Sequence, residues 1–314
     1  MLVTGASGFI GYSLCKYLSK LGTEVEVCGA VRSINSFLSK DVKYISVGNI
    51  NINTNWKNAL IDTDYIIHCA AAVHEMKNDK DYDFYYSINA EGTKNLAEQA
   101  VKAGVKRLVF LSTIKVNGES TDKIKDTKVF KNNDLSNPQN NYEISKLEAE
   151  KILSMISSRT GLEVVILRLP LVYGNGVKGN LAKLIKFIKL GIPLPFGMID
   201  NHRSIIGIDN LIDLLIRCID HPEASGKTFL ASDGEDLSTP ELIKLIASSM
   251  GKKGNLFPVP LFLLKFIGLI FGKAEEINRL VGSLRIDNSY TKEILNWTPP
   301  INVEEGIRRM VQGK

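Results

Sequence analysis

The sequence predicts an α/β fold, a doubly wound parallel sheet with a smaller, mostly helical C-terminal lobe, on three observations. Short apolar runs alternate with helical stretches, the runs are apolar throughout, and a glycine-rich turn joins the first run to the first helix. A strand buried on both faces has no polar side, so continuous apolar runs indicate a sheet covered by helices above and below. The runs are MLVT (1–4), EVEVCGAV (24–31), KYISVG (43–48), DYIIHCA (64–70), RLVFLS (107–112) and EVVILRL (163–169). Apolar residues spaced by three and four mark the helices between several of them. SINAEGTKNLAEQAVKAG (87–104) ends on Gly104 as a C-cap, and SKLEAEKILSMI (145–156) is the second clear example.

Composition narrows the function. The chain has 314 residues, 44% hydrophobic and 23% charged, enough for one large core with a smaller lobe. A formal charge of +5, mild and spread along the chain, gives no reason to expect nucleic acid. Cys15, Cys28, Cys69 and Cys218 form no CxxC and read as reduced thiols of a cytoplasmic protein. The four histidines are scattered, so no metal site is expected. The first apolar run breaks at Gly5 with no basic leader, and no export signal is expected.

The glycine turn fixes the first ligand. Gly5, Gly8 and Gly11 follow the leading strand and open a helix, the pattern of a Rossmann dinucleotide site. Gly5 would permit the tight turn, Gly8 would let backbone approach phosphate, and Gly11 would let the helix pack closely on the sheet. The helix N-terminus adds free N–H groups and the positive end of its dipole. The second strand ends Ala30-Val31-Arg32-Ser33, without the acid that meets an NAD ribose. Arg32 could fork onto a 2′-phosphate and stack on adenine, or simply be solvated at a loop start. Asn49 falls beside the adenine position, and NADP(H) is favoured over NAD(H).

Chemistry is expected further along. Tyr142 and Lys146 lie four apart at a helix start and so share a face. Ser112 and Thr113 end the fifth strand at the carboxyl edge of the sheet, where ligands of open α/β sheets bind. A free tyrosine titrates near pH ~10, so proton exchange near neutrality needs its pKa lowered by ~2–3, or ~3–4 kcal/mol. One lysine charge at ~4 Å supplies about that much at an effective dielectric near ~20. The Thr113 hydroxyl would hold the substrate oxygen from the other side.

These motifs resemble the extended short-chain dehydrogenase/reductases, the NAD-dependent epimerase/dehydratase family, over essentially the whole chain. The resemblance rests on GASGFIG (5–11), HCAAAVH (68–74), NAEGTKNL (89–96), LSTIKVNGE (111–119), YEISK (142–146), RLPLVYGNG (168–176), NHRSIIGIDNLIDL (201–214) and LNWTPP (295–300). It points to the subgroup of UDP-glucose 4-epimerase-like enzymes and UDP-4-keto-sugar reductases of bacterial surface-polysaccharide biosynthesis. The resemblance implies that Thr113, Tyr142 and Lys146 are catalytic, that Ala70, Ala71 and Ala72 line the cofactor, and that Asn89 anchors the helix beneath it. Ser7, Phe9, Ile10, Ile50, Leu111, Ser112 and Leu169 are expected to complete the cofactor contacts, and His74 and Lys115 to face the substrate. Sugar 4,6-dehydratases of the family carry an Asp-Glu pair after the threonine. Ile114 and Lys115 stand there instead, so dehydration is not expected.

The second lobe is expected from two separated pieces, 171–204 and 236–314, with 1–170 and 205–235 forming the cofactor domain. YGNGVKGNLAKLIKFIKLGIPLPFG should give a loop and a cationic amphipathic helix, and IIGIDNLIDLLIRCID a helix on the cofactor domain. Ser238 and Glu241 form the cap of a further helix. Arg203 is the candidate clamp for a substrate diphosphate, with Arg285 a weaker candidate and Asn180 a sugar or phosphate contact. LFPVPLFLLKFIGLIFG (256–272) is too short to span a bilayer, which needs ~20 apolar residues. It reads as a buried helix, a dimer face or a peripheral membrane contact. The expected protein is a cytoplasmic homodimer acting at C4 of a UDP-hexose. Reduction of a UDP-4-keto-6-deoxy-N-acetylhexosamine by NADPH is favoured. The alternative is 4-epimerisation of UDP-glucose or UDP-N-acetylglucosamine on tightly held NAD, and a non-catalytic cofactor sensor is the remote one.

Overall fold

The structure is a computed structural model that describes residues 1–22, 25–34, 39–73, 81–122 and 129–313. Ten strands lie among the described residues: β1 (Leu2–Thr4), β2 (Cys28–Val31), β3 (Lys43–Ser46), β4 (Tyr65–His68), β5 (Arg107–Thr113), β6 (Glu163–Leu169), β7 (Leu171–Tyr173), β8 (Arg203–Gly207), β9 (Thr228–Leu230) and β10 (Asp236–Leu237). The helices are α1 (Phe9–Leu18), α2 (Tyr82–Tyr86), α3 (Gly92–Lys102), α4 (Asn141–Arg159), α5 (Gly179–Lys189), α6 (Ile208–Asp220), α7 (Thr239–Ser249), α8 (Leu261–Ile270), α9 (Ala274–Val281), α10 (Ser289–Leu295) and α11 (Val303–Gln312). A single π turn, Ser87–Glu91, joins α2 to α3.

The main sheet is parallel throughout, in the order β3-β2-β1-β4-β5-β6-β9. Successive residues feed opposite faces. Leu108, Phe110, Val164 and Ile166 join Leu96, Ala97, Ala149 and Leu153 from α3 and α4. Val109, Leu111, Val165 and Leu167 join Leu14 and Leu18 of α1, Leu211 and Leu215 of α6, and Trp297. Both faces are therefore apolar, which is why these strands carry no polar alternation. Strand order reverses between β1 and β4, so the chain leaves their carboxyl ends in opposite directions and opens the crevice used by ligands of this architecture.

A second, three-stranded sheet runs β10-β8-β7, with β7 and β8 parallel and β10 antiparallel to β8. Its core joins Tyr173, Ile205 and Leu237 to Leu181 and Ile188 of α5, Ile243 and Ile246 of α7, and Ile307 of α11. The segment from residue 205, expected as a helix from its start, begins instead as β8, and α6 starts only at Ile208 after Gly207. A short apolar run pairs as readily in a strand as it packs in a helix, and here β7 offers a partner. The Ser238 hydroxyl accepts from the Glu241 N–H while the Glu241 carboxylate accepts from the Ser238 N–H, a complete capping box on α7. The 256–272 stretch folds as α8 but is not buried: only Leu264 and Gly268 are covered. No described helix is long and apolar enough to cross a membrane.

Candidate active site

The crevice begins at the glycine turn. Gly5 has φ +65°, and a Cβ there would stand 2.8 Å from the Ala70 nitrogen, so only glycine allows the turn and the approach to the loop after β4. The Gly8 N–H donates to the Gly5 carbonyl at 2.8 Å. A Cβ on Gly11 would lie 2.8 Å from the Gly5 carbonyl carbon, so its absence lets α1 pack closely on the turn that leaves β1. No side chain caps α1, and its first-turn N–H groups open between Ser7, Phe9 and Ile10. That is the arrangement a pyrophosphate needs. Arg32 is exposed just past β2. Asn49 and Ile50 follow β3, with Ile50 packed on Gly92, where a Cβ would be 2.6 Å from its Cγ2.

A buried polar chain that sequence reading missed fixes the β4 end. The Thr93 hydroxyl donates to the Asn89 carbonyl at 2.6 Å, so it can only accept from His68 Nε2–H at 3.0 Å. Nδ1 is then the acceptor, and the Thr4 hydroxyl donates to it at 2.6 Å while accepting from the Ala70 N–H at 3.2 Å. Burial pushes the His68 pKa down to about 3, with Lys146 adding to the effect, so the ring is neutral as this chain requires. Asn89 closes the other side. Its carboxamide accepts from the Ala72 N–H at 2.8 Å and donates to the Ala72 carbonyl at 2.9 Å and the Ser145 hydroxyl at 3.0 Å. Ala70 and Ala72 are thus held by backbone contacts on both flanks.

Asn140 caps α4 by accepting from the Glu143 N–H at 3.0 Å, which starts the helix early enough to carry both Tyr142 and Lys146. Thr113 ends β5 opposite Leu169 of β6. Burial pushes the Tyr142 hydroxyl well above its ordinary pKa, Glu143 and Tyr85 add to this, and a hydrogen bond with the Thr113 side chain pulls the other way. Burial pulls Lys146 down to about 7, opposed by Glu150 and Cys69. Its ammonium sits 3.9 Å from the Phe110 ring centre. The lowering of Tyr142 is assigned to Lys146 together with an oxidised nicotinamide, and the protein groups alone do not supply it. Desolvation dominates both groups and favours their neutral forms.

Several expected ligand contacts are engaged in the protein itself. The Ser112 hydroxyl, expected at the cofactor, donates to Glu150. Glu150 also accepts from Arg168 Nη2 at 2.6 Å and Nε at 3.1 Å, and Arg168 Nη1 donates to Asn117 at 2.9 Å. Lys115, expected at the substrate, donates to Glu143 at 3.2 Å and Glu119 at 3.3 Å, the two carboxylates that flank it. Arg203 Nη1 donates to the carbonyls of Arg279 at 2.7 Å and Gly282 at 2.9 Å, so one arm of the candidate clamp anchors the end of α9. Arg285 Nε donates to Asp236 at 2.8 Å. Asn180 lies on the exposed first turn of α5, and His74 lies outside the described residues. Glu150 and Arg168 carry no local sequence signal, since their partners are distant in the chain.

A family model described as the NAD dependent epimerase/dehydratase family matches residues 1–231. The chain belongs to that family. This enzyme is similar to a UDP-glucose 4-epimerase of Vibrio cholerae, 43% identical over 316 aligned residues that span 99% of the chain and 94% of the relative. Among solved structures, MoeE5 in complex with UDP-glucose and NAD superposes with a TM-score of 0.79 at 23% identity, over 99% of this chain and 97% of the other. A UDP-glucuronic acid 4-epimerase from Bacillus cereus in complex with NAD gives 0.78 at 22% identity, with coverage of 99% and 97%. At these identities the two structures establish the shared fold.

Proposed function

We propose that this enzyme is a 4-epimerase of a UDP-hexose that works with NAD. The observation that carries the reading is one tyrosine, Tyr142, paired with Thr113 at the carboxyl edge of the sheet and flanked by no second acid–base pair. Ile114 is buried and Lys115 is bound to Glu143, so the positions of a dehydratase pair hold no free carboxylate. Such a site can take one proton and return the same one. Tyr142, ionised with the charges of Lys146 and of an oxidised nicotinamide beside it, would accept the C4 hydroxyl proton, Thr113 would hold the oxygen, and after the keto-sugar turns over Tyr142 would give the proton back. NAD, held on the glycine turn, would supply the site for a hydride that leaves C4 and later returns to its other face.

The 4-epimerase named at 43% identity and the NAD-bound structural neighbours support this over the NADPH-dependent reduction that Arg32 suggests. Four free cysteines fit a cytoplasmic setting. The test is to incubate the purified enzyme with UDP-glucose and UDP-N-acetylglucosamine without reductant and to analyse the nucleotide released on denaturation. Turnover to the C4 epimer with release of NAD is expected. Turnover only of a 4-keto-6-deoxy UDP-sugar, with stoichiometric oxidation of NADPH, would replace the epimerase by the reductase.

A further inference from the structure

Seven of the ten residues of α8 are exposed large apolar side chains, with Phe262 75% and Leu269 69% exposed. Leu264 and Gly268 form its buried stripe, and a Cβ at Gly268 would stand 2.7 Å from Ile277, so this stripe is the seat on α9. Phe257 and Phe271 extend the exposed surface at either end. Lys265 is its one polar residue; a helix this apolar belongs in a core or a bilayer, and no described element other than α9 covers it. Ten residues rise ~15 Å, about half a hydrocarbon core, so α8 can enter one leaflet and cannot cross.

Positive charge predominates around it, although α9, its seat, opens with Glu275 and Glu276. Residues 178–199 and 242–274 hold nine exposed lysines and no carboxylate, which leaves thirty lysines and arginines against thirty-four acidic residues elsewhere. The net charge of +5 is therefore not spread along the chain; it lies entirely in these two stretches. They form one surface. The Leu194 N–H donates to Asn255 O at 2.8 Å, the Phe257 N–H to Leu194 O at 3.0 Å, and Lys252 to Lys189 O, at the root of α8. Phe187 and Leu190 of this surface are exposed between its lysines.

We propose that α8 and its lysine rim dock the enzyme on an anionic lipid bilayer, with α8 lying in the interfacial region of one leaflet. Apolar insertion beside a cationic rim is the combination such surfaces bind. A second copy is the poorer occupant, since a two-fold contact through this patch would set the lysine rims against each other. The inference does not depend on the substrate.

Sedimentation of the full chain with vesicles tests it, using equimolar phosphatidylglycerol and phosphatidylcholine against phosphatidylcholine alone. Binding to the anionic vesicles, weakened by salt, is expected. Lys186→Gln and Lys253→Gln should each lower partitioning about fivefold. Phe262→Ser with Phe266→Ser should lower it by roughly a hundredfold or more. Both sites are exposed, so circular dichroism and melting temperature should be unchanged, which separates lost docking from lost fold. No binding by the wild type, or equal binding by the double phenylalanine variant, overturns the proposal. So does a wild-type dimer that this variant splits in analytical ultracentrifugation, which would make α8 a contact between copies.

Discussion

Tyr142→Phe removes one hydroxyl and leaves the ring in its edge contact with Tyr85, whose centroid is 6.1 Å away. Turnover should fall by roughly 10²- to 10⁴-fold with fold and cofactor binding intact; steady-state kinetics on the variant measures this, and full activity would remove Tyr142 from the mechanism. Arg32→Ala tests the cofactor at the same scale. The side chain is exposed at the end of β2, so a variant that weakens NAD and NADP alike in fluorescence titration marks a residue that stacks on adenine. Selective loss of NADP would mean the 2′-phosphate is read after all. His68 makes a pH prediction. Below about pH 6.5 an unfolded chain takes up a proton that buried His68 refuses until about pH 3. The unfolded state then binds more protons, so stability drops as the pH is lowered through that window, by ~1.4 kcal/mol per pH unit from this group. His68→Gln keeps an acceptor for Thr4 and a donor for Thr93 and should flatten the slope by about that amount in urea melts. An unchanged slope would mean that His68 is already charged.

Between elements, the Glu150–Arg168 pair ties α4 to β6, and Ser112 adds β5. Both groups are buried, so Glu150→Leu leaves a guanidinium without its carboxylate and should cost about 3–5 kcal/mol in chemical denaturation. Adding Arg168→Met should recover most of that, because the pair itself contributes little beyond replacing its own desolvation. A double variant no better than the single would mean that Asn117 and Ser112 need the ions. This network marks the limit of what the sequence discloses. The strands were legible because burial on both faces writes a continuous apolar run, and Tyr142 with Lys146 because helical spacing is local. The apolar periodicity of α4 shows only from Ser145, while its first residue, Asn141, is set by the Asn140 cap, which leaves no periodic trace. Glu150 meets Ser112 and Arg168 across 38 and 18 residues, and Lys115 meets Glu143 across 28. Nothing in the intervening chain announces such pairs. Arg203 looked like a phosphate ligand for the same reason: its carbonyl partners belong to a helix end more than seventy residues away.

Across the whole molecule, Arg203 lies on β8 of the second sheet, away from the glycine turn, and has two duties to separate. Arg203→Ala strips a charged donor from the carbonyls of Arg279 and Gly282 and should cost about 1–3 kcal/mol of stability without ligand. If its remaining N–H groups meet the diphosphate, KM for the UDP-sugar should rise by roughly 30- to 150-fold while kcat changes far less. Lowered stability with unchanged KM in steady-state assays would leave Arg203 as an anchor and move the clamp to Arg285. The packing of α6 and Trp297 on the main sheet has a consequence in time. The first six strands of that sheet are complete at Leu169, yet the face shared by Val109 and Val165 is closed by Leu211, Leu215 and finally Trp297, whose indole N–H donates to Asp213 at 2.6 Å. A ribosome adding ~5–20 residues per second leaves that face open for roughly ten seconds. A nascent chain halted after residue 231 holds everything that the family model matches and still lacks its last cover. It should collect in the insoluble fraction on expression, while the full chain, its tail arriving last, shuts the face behind itself.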